Sequence, residues 1–294
     1  MMVTALLTSV MMACGVLWVG LGAKTAQRPD FPERDEINQT YKLEPGARVE
    51  VSSIRGPVEI VNGDGATAEV HIIRSARTRA DLEYHKVEVS QTGNSLVVRG
   101  VQEPENRRSQ NIQVDHHVKL KLPRNIDLSV KSVSGWIKVG DVDGPAQVSS
   151  ISGPADVGNV GGKLEMRSIS GSVEVGNVGA DARLNSISGN LSLGQVNGSL
   201  DASSVSGSLK ATLLSLSPQG IHIRSVSGSI EIRFQSEVNA DFKADSISGQ
   251  VYLDMPNVTR DSEEKSSHVR ARIGGGGTPI TISSVSGNIR LTRS

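Results

Sequence analysis

The chain has 294 residues, a formal net charge of zero and 21% charged residues, a length suited to one or two domains. Neutrality removes the electrostatic basis for nucleic-acid binding, which needs clustered Lys and Arg, and a single cysteine, Cys14, rules out a disulfide framework and a Cys-based metal site. Aromatics make up only 3% against 31 glycines, too few large side chains for an ordinary α/β core but adequate for a narrow repeat.

Residues 1–23 carry no charge and are long enough to cross a bilayer as a helix. They read as a signal peptide or a membrane anchor, which makes this segment the contact with the membrane. The first basic residue, Lys24, follows the apolar run, and the Met-Met-Ala-Cys14 sequence offers lipidation as an alternative. Residues 24–40 are polar with two prolines and read as a linker. Residues 41–131 read as a β-rich region containing a first coil and a cap. Pro45-Gly46 marks a turn, and Val49 to Ile60 already holds a Ser-Ile-x-Gly word at Ser53–Gly56. Alternation in AEVHIIRS, KVEVS, SLVVRG and HHVKLKLP predicts strands, with a hairpin turn at Thr92-Gly93-Asn94. Glu103 to Ser109 reads as an exposed loop.

Residues 132–294 read as solenoid repeats. Ser132 to Thr212 divides into nine consecutive nonapeptides without insertion, beginning SVSGWIKVG, DVDGPAQVS, SISGPADVG and NVGGKLEMR. Place two is always Val or Ile, places six and eight are always apolar, and place four is Gly except at Ala180. Alternate units open with Ser-Val/Ile-Ser-Gly, so the full repeat is eighteen residues. A fixed period of this kind signals stacked units. Apolar places six and eight predict a short strand; the glycine predicts a tight corner. The expectation is an all-β chain: a β-solenoid of 18-residue coils with two strands each, an N-terminal β-rich cap and an apolar leader or anchor helix. All second-place Val/Ile side chains are expected inside, in continuous columns, with the serines laddered inside the coil or at its corners. The corner glycines Gly135, Gly153, Gly171, Gly189, Gly207, Gly228, Gly249 and Gly287 are the structural repeat positions. Gly207, Gly228 and Gly249 are spaced by 21, which suggests coils with one arm longer by three residues.

The pattern offers little chemistry. Calcium-binding nonapeptide rolls need carboxylates at a constant place, whereas Asp141, Asp143, Asp156, Glu165, Glu174, Asp181 and Asp201 are spread over places one, three, five and seven. His116 and His117 are strand neighbours that point to opposite faces, so they cannot share a metal. His71, His85, His222 and His268 lack ligand spacing. No G-x-S-x-G elbow occurs, and Gly274–Gly277 lacks the Lys-Ser/Thr of a phosphate loop. Trp136, the only aromatic of the nine units, is expected to cover the first coil. No catalytic, metal or cofactor-binding residue is assigned.

Three features together resemble the bacterial putative-adhesin β-solenoid family: the Pro-Gly-x-x-Val-x-Val opening at Pro45–Val51, the repeated Ser-x-Ser-Gly words, and the closing GGGGTPITISSVSGNIRL. The resemblance spans roughly residues 41–294. It implies an extracytoplasmic or membrane-associated bacterial protein, at the periplasm or cell surface, with no known catalytic residues; it carries no site residues to this chain. The expected function is a non-enzymatic, adhesin-like envelope binding or scaffold protein, whose partner is an envelope component, a protein or a surface glycan. Two alternatives stay open: a polysaccharide-active β-helix enzyme with a cleft in residues 213–283 that uses Glu263 and Glu264, and a membrane accessory that senses envelope state.

Overall fold

The computed structural model describes residues 31–63, 65–102, 114–260 and 266–293. The leader with Cys14, the Glu103–Ser109 loop and Glu263 and Glu264 lie outside the described residues.

Two long sheets, of 12 and 13 strands, face each other and sandwich one apolar core. Each layer of the stack, here called a rung, contributes a strand to each sheet, and in rungs 2 to 10 the two strands meet at a glycine corner. Counted from the N-terminal cap, rung 1 is Ser95–Gln102 with Val114–Leu122, and rung 2 is Ala47–Arg55 with Val58–Asn62. Rungs 3, 4 and 5 are Ile126–Ser134 with Ile137–Val139, Ala146–Ser152 with Ala155–Val157, and Leu164–Ser170 with Val173–Val175. Rungs 6, 7 and 8 are Ala182–Ser188 with Leu191–Asn197, Leu200–Ser206 with Leu209–Ser215, and Ile221–Ser227 with Ile230–Phe234. Rung 9 is Thr278–Ser286 with Ile289–Arg293, and rung 10 is Ala240–Ser248 with Val251–Asp254. Adjacent rungs pair in parallel. In the strict repeat each residue meets its counterpart eighteen positions away, as in Ala146↔Leu164 and Ala155↔Val173.

Stack order departs from chain order at both ends. The coil of residues 47–62 lies between rung 1 and rung 3, so it is not isolated. The C-terminal coil is inserted between rung 8 and rung 10. The 21-residue spacing from Gly228 to Gly249 is therefore not one step of the stack: the rung beyond Gly228 carries Gly287, and Gly249 follows that. Strands on rungs 3 to 10 carry the same Ser-x-Ser-Gly word, so the word and its spacing along the chain do not reveal the order.

Antiparallel strands extend both sheets at the N-terminal end and the 13-stranded sheet at the other, covering rung edges there, whereas Val251–Asp254 is itself the last strand of the 12-stranded sheet. Thr67–Ala76 pairs with Val114–Leu122, and Glu33–Lys42 pairs with Thr67–Ala76. His85–Thr92 forms a hairpin with Ser95–Gln102. His268–Ile273 pairs with rung 10, and Val258–Arg260 pairs with it in turn. Part of the expected linker is thus strand. Its polar side chains mask the alternation, yet Ile37 and Tyr41 pack on the core from this edge. A six-residue helix, Arg79–Tyr84, joins two cap strands, and the Thr78 hydroxyl accepts a hydrogen bond from the Asp81 N–H at 3.2 Å.

The second-place residues fall into two classes, which corrects the expectation that all are inside. Val142, Val160, Val178 and Val196 are buried and bridge one another on a third, narrow side of the stack. Leu213 and Phe234 extend that column, Leu213 lying beside Val196 and Phe234 beside Leu213. The Val and Ile of the Ser-Val/Ile-Ser-Gly words instead face water: Val133, Ile151, Ile169, Ile187, Val205, Val226 and Val285 are 44–52% exposed and Ile247 is 80% exposed. Strand alternation explains this. Ala146, Val148 and Ser150 point inward in succession, so Ile151 points outward. After the short strands, a glycine (Gly140, Gly158, Gly176 or Gly194) bends the chain and resets the phase, so the next Val turns inward.

Some of the polar residues beside these columns bond within the stack, whereas the buried hydroxyls of Ser53, Ser132, Ser186, Ser204, Ser225 and Ser284 have no partner. The first serine of each Ser-x-Ser-Gly word is buried. In three rungs its hydroxyl donates to a corner glycine carbonyl: Ser150 to Gly153 at 3.1 Å, Ser168 to Gly171 at 3.3 Å and Ser246 to Gly287 at 3.2 Å. Along the reset bend, the Asn62 side-chain carbonyl accepts from the Asp141 N–H, Asp141 from Asn159, Asn159 from Asn177, and Asn177 from Gln195, each at 2.9 Å. These bonds satisfy backbone donors between rungs at the corner, where no strand partner is available.

Candidate functional site

The outer face of the 13-stranded sheet carries the exposed Val/Ile column. In stack order it runs Val133, Ile151, Ile169, Ile187, Val205, Val226, Val285 and Ile247, one residue per rung from rung 3 to rung 10, and the partly buried Ile54 continues the line on rung 2. At about 4.8 Å per rung the line from Ile54 to Ile247 is ~38 Å long. Exposed serines such as Ser152, Ser170 and Ser188 line its corner side. On its other side lies a mixed row that includes Lys131, Ser149, Arg167, Asn185, Ser203 and Arg224. Contiguous exposed apolar surface with a polar rim is the physical signature of an interaction site. The side chains are β-branched and stiff at χ1, and their backbones are hydrogen-bonded on both sides, so the face is preorganised.

The eight repeat glycines form the corner beside this face. Seven of them, all but Gly249, have φ between +117° and +130°. They sit so close that a Cβ on each would meet the carbonyl of the preceding rung's glycine. Their role is to let the rungs approach, and they present no side chain to a ligand. Trp136, half-buried, sits at the corner of rung 3 with its ring edge-on to His117, centroids 6.2 Å apart.

Two grooves accompany the face. One, of about 370 Å³, is lined by Lys163, Asp181, Arg183, Asp201, Gln219 and His222, where the 217–220 loop enlarges the stack. Its charges are engaged: Arg183 pairs with Asp201 at 3.2 Å. Asp181 accepts from the Ser199 N–H at 2.8 Å and from the Ser199 hydroxyl at 2.7 Å, and these bonds hold its carboxyl below the usual range. The other, of about 250 Å³, lies in the cap beside Asp35, Arg74, Arg79 and Lys86. Arg74 is bound there to Asp35 and donates to the carbonyls of Leu82 at 3.1 Å and His85 at 3.2 Å. Asp156 and Glu174 do come side by side in the register. Among the described residues no group of three or more His, Cys, Asp or Glu is placed to hold a metal ion, and no helix is long and apolar enough to cross a membrane.

His116 and His117 point to opposite faces. His117 is half-buried near Glu59, while His116 is 2% exposed and its Nε2 has no partner. Burial, reinforced by the charges of His85, Arg74 and Arg55, pushes the His116 pKa down to about 4; a hydrogen bond to the His85 backbone opposes the shift. His85 is shifted down as well, chiefly by burial and then by Arg55. The folded state holds His116 neutral and the unfolded chain does not. Its contribution is therefore complete above pH ~6.5 and is lost as pH falls toward about 4. We expect His116 to account for about 3 kcal/mol of acid destabilisation over that window. The difference in unfolding free energy between pH 7 and pH 4, compared for the parent and His116→Phe by urea denaturation, measures it. An identical pH dependence for both would refute the assignment.

The exposed column could not be located from the second-place pattern alone, because buried and exposed members share the same residue types. The available signal was the glycine at place nine, which closes every Ser-Val/Ile-Ser-Gly unit from Gly140 to Gly194 and none of the intervening ones.

A comparison with curated protein sequences finds no match. Among solved structures the chain is similar to a putative adhesin from Bacteroides fragilis, at 12% identity over 88% of this chain and 98% of that one, with a TM-score of 0.49. It is also similar to a putative adhesin from Parabacteroides distasonis, at 11% identity over 88% and 97%, with a TM-score of 0.37. A putative lipid binding protein from the same species matches at 11% identity over 87% and 96%, with a TM-score of 0.28. The sequence profile of the Toastrack DUF4097 family matches residues 47–292, from the first strand of rung 2 to the second strand of rung 9. With the match running over most of the chain and the stack of rungs at its centre, the protein belongs to the Toastrack DUF4097 family.

Proposed function

We propose that this chain is a non-enzymatic, adhesin-like binding or scaffold protein of the bacterial envelope, held outside the cytoplasmic membrane, that engages its partner through the exposed face of the 13-stranded sheet. One observation carries the reading: a rigid apolar column, one Val or Ile per rung from rung 3 to rung 10, stands in solvent on the outer face of the sheet. Such a surface suits an extended partner rather than a small molecule enclosed in a pocket. The partner class is an envelope component, a protein or a surface glycan; the leader, residues 1–23, supplies the attachment to the membrane.

Residues 31–294, without the leader, are expected to sediment with purified envelope preparations. Ile169→Lys combined with Ile187→Lys should weaken that binding at least ~10-fold while leaving the fold intact, because both side chains are half in water already. Unchanged binding in the double variant would remove the face from the reading. Recovery of the native protein in the cytoplasmic fraction would remove the location.

A further inference from the structure

We infer that the occupant of the Val/Ile column is a second copy of this chain, laid column against column with its rung order reversed about Ile187. This inference rests on the reading of the column as the binding face.

Four features favour a second copy. The first is pitch. The column repeats at the inter-strand spacing of about 4.8 Å for ~38 Å, and only a surface with the same pitch can interdigitate along its whole length. Another copy has that pitch by construction, and β-branched side chains on facing sheets pack in this way. The second is area. A strip ~38 Å long and about 20 Å wide, the column plus its polar rims, covers about 760 Å², close to the roughly 800 Å² per partner of a stable interface.

The third is charge. The net charge is zero, so two copies do not repel as whole bodies. Ile187 lies on rung 6, midway between rungs 2 and 10. Reversal about it sets rung 5 against rung 7, rung 4 against rung 8 and rung 3 against rung 9. Arg167 then faces Ser203, Arg224 faces Ser149, and Lys131 faces Ser283. Each cation in the row beside the column meets a hydroxyl, and no like charges meet there. The fourth is depth. The Val and Ile side chains, Ile247 apart, are sunk to about half their surface and rimmed by serine and charge. They are too shallow to reach the hydrocarbon of a bilayer, where interfacial segments bury an apolar face about 5–10 Å deep.

Sedimentation equilibrium of the full chain tests this. A reversible dimer is expected between ~1 and ~100 μM, and Ile169→Lys with Ile187→Lys should weaken it at least ~100-fold. In a Cys14→Ser background, Ile187→Cys should be captured as a dimer by a short bis-maleimide. Val133→Cys alone should not be captured, whereas a mixture of Val133→Cys and Val285→Cys chains should cross-link to each other. A chain that stays monomeric at ~100 μM overturns the inference. So does a dimer that persists unchanged in the double lysine variant, or stable binding of the monomer to phosphatidylcholine vesicles through this face. If the chain is monomeric but the lysine variant still loses envelope binding, self-association fails and the binding face stands. If neither property responds to the lysines, both readings fall.

Discussion

Val173→Asp is expected to lower the unfolding free energy by about 5 kcal/mol, while Ile169→Asp, four residues earlier in the same rung, costs about 1 kcal/mol. Both replace a branched aliphatic side chain in a strand with a carboxylate. Val173 is 1% exposed and lies between Ala155 and Leu191 in the core column of the 12-stranded sheet. Its loss removes a buried aliphatic group and leaves a charge with no partner in an apolar interior. Ile169 is 47% exposed, so the new carboxylate stays hydrated and only part of the apolar burial is lost. Glu174→Lys, on the outward side of Val173, should change stability by no more than about 0.5 kcal/mol. Urea denaturation of the three variants decides the matter. Equal losses at Val173 and Ile169 would mean that the two positions do not face opposite ways.

Gly171→Ala is expected to cost about 4 kcal/mol, an unusually large effect for adding one methyl group. Two causes add. Gly171 has φ of +128°, a region that L-residues enter only with about 1–3 kcal/mol of strain. A Cβ there would also lie 2.2 Å from the Gly153 carbonyl oxygen. That oxygen is backbone and cannot swing aside, so rungs 4 and 5 would have to separate at the corner. Separation would strain the bond from the Gly153 N–H to the Ser170 carbonyl, now 3.1 Å. Gly93 provides the control. Its φ is +56° and nothing lies within 4 Å of a Cβ built there; Asn tolerates that left-handed conformation. Gly93→Asn should therefore cost less than about 1 kcal/mol. A comparable loss at Gly93 would show that positive φ alone, and not contact between rungs, sets the cost at Gly171.

The sequence revealed the repeat because stacking imposes the same demands on every rung. Inward positions such as Val148, Met166 and Leu184 must be apolar, and corners such as Gly153 and Gly171 must lack a side chain. Such demands recur at a fixed interval and are visible without coordinates. The edge strand Glu33–Lys42 was hidden for the opposite reason. Its outward side is solvated, so charged residues dilute its pattern until it reads as linker. Of the candidate face, the residues themselves were plain in the sequence, whereas their exposure was not.

Strand, corner and period are local requirements of backbone geometry, and the chain states them in its own spelling: an all-β stack with glycine at each bend. Two matters were left to the folded molecule. Which of two like-placed valines meets water depends on whether a bend has reversed the alternation before it, as between Val160, inside, and Val133, outside. Where the last coil sits, between rung 8 and rung 10, is a matter of long-range pairing between similar words, which their spelling does not specify. Both are properties of the closed stack, and no shorter stretch of chain contains them.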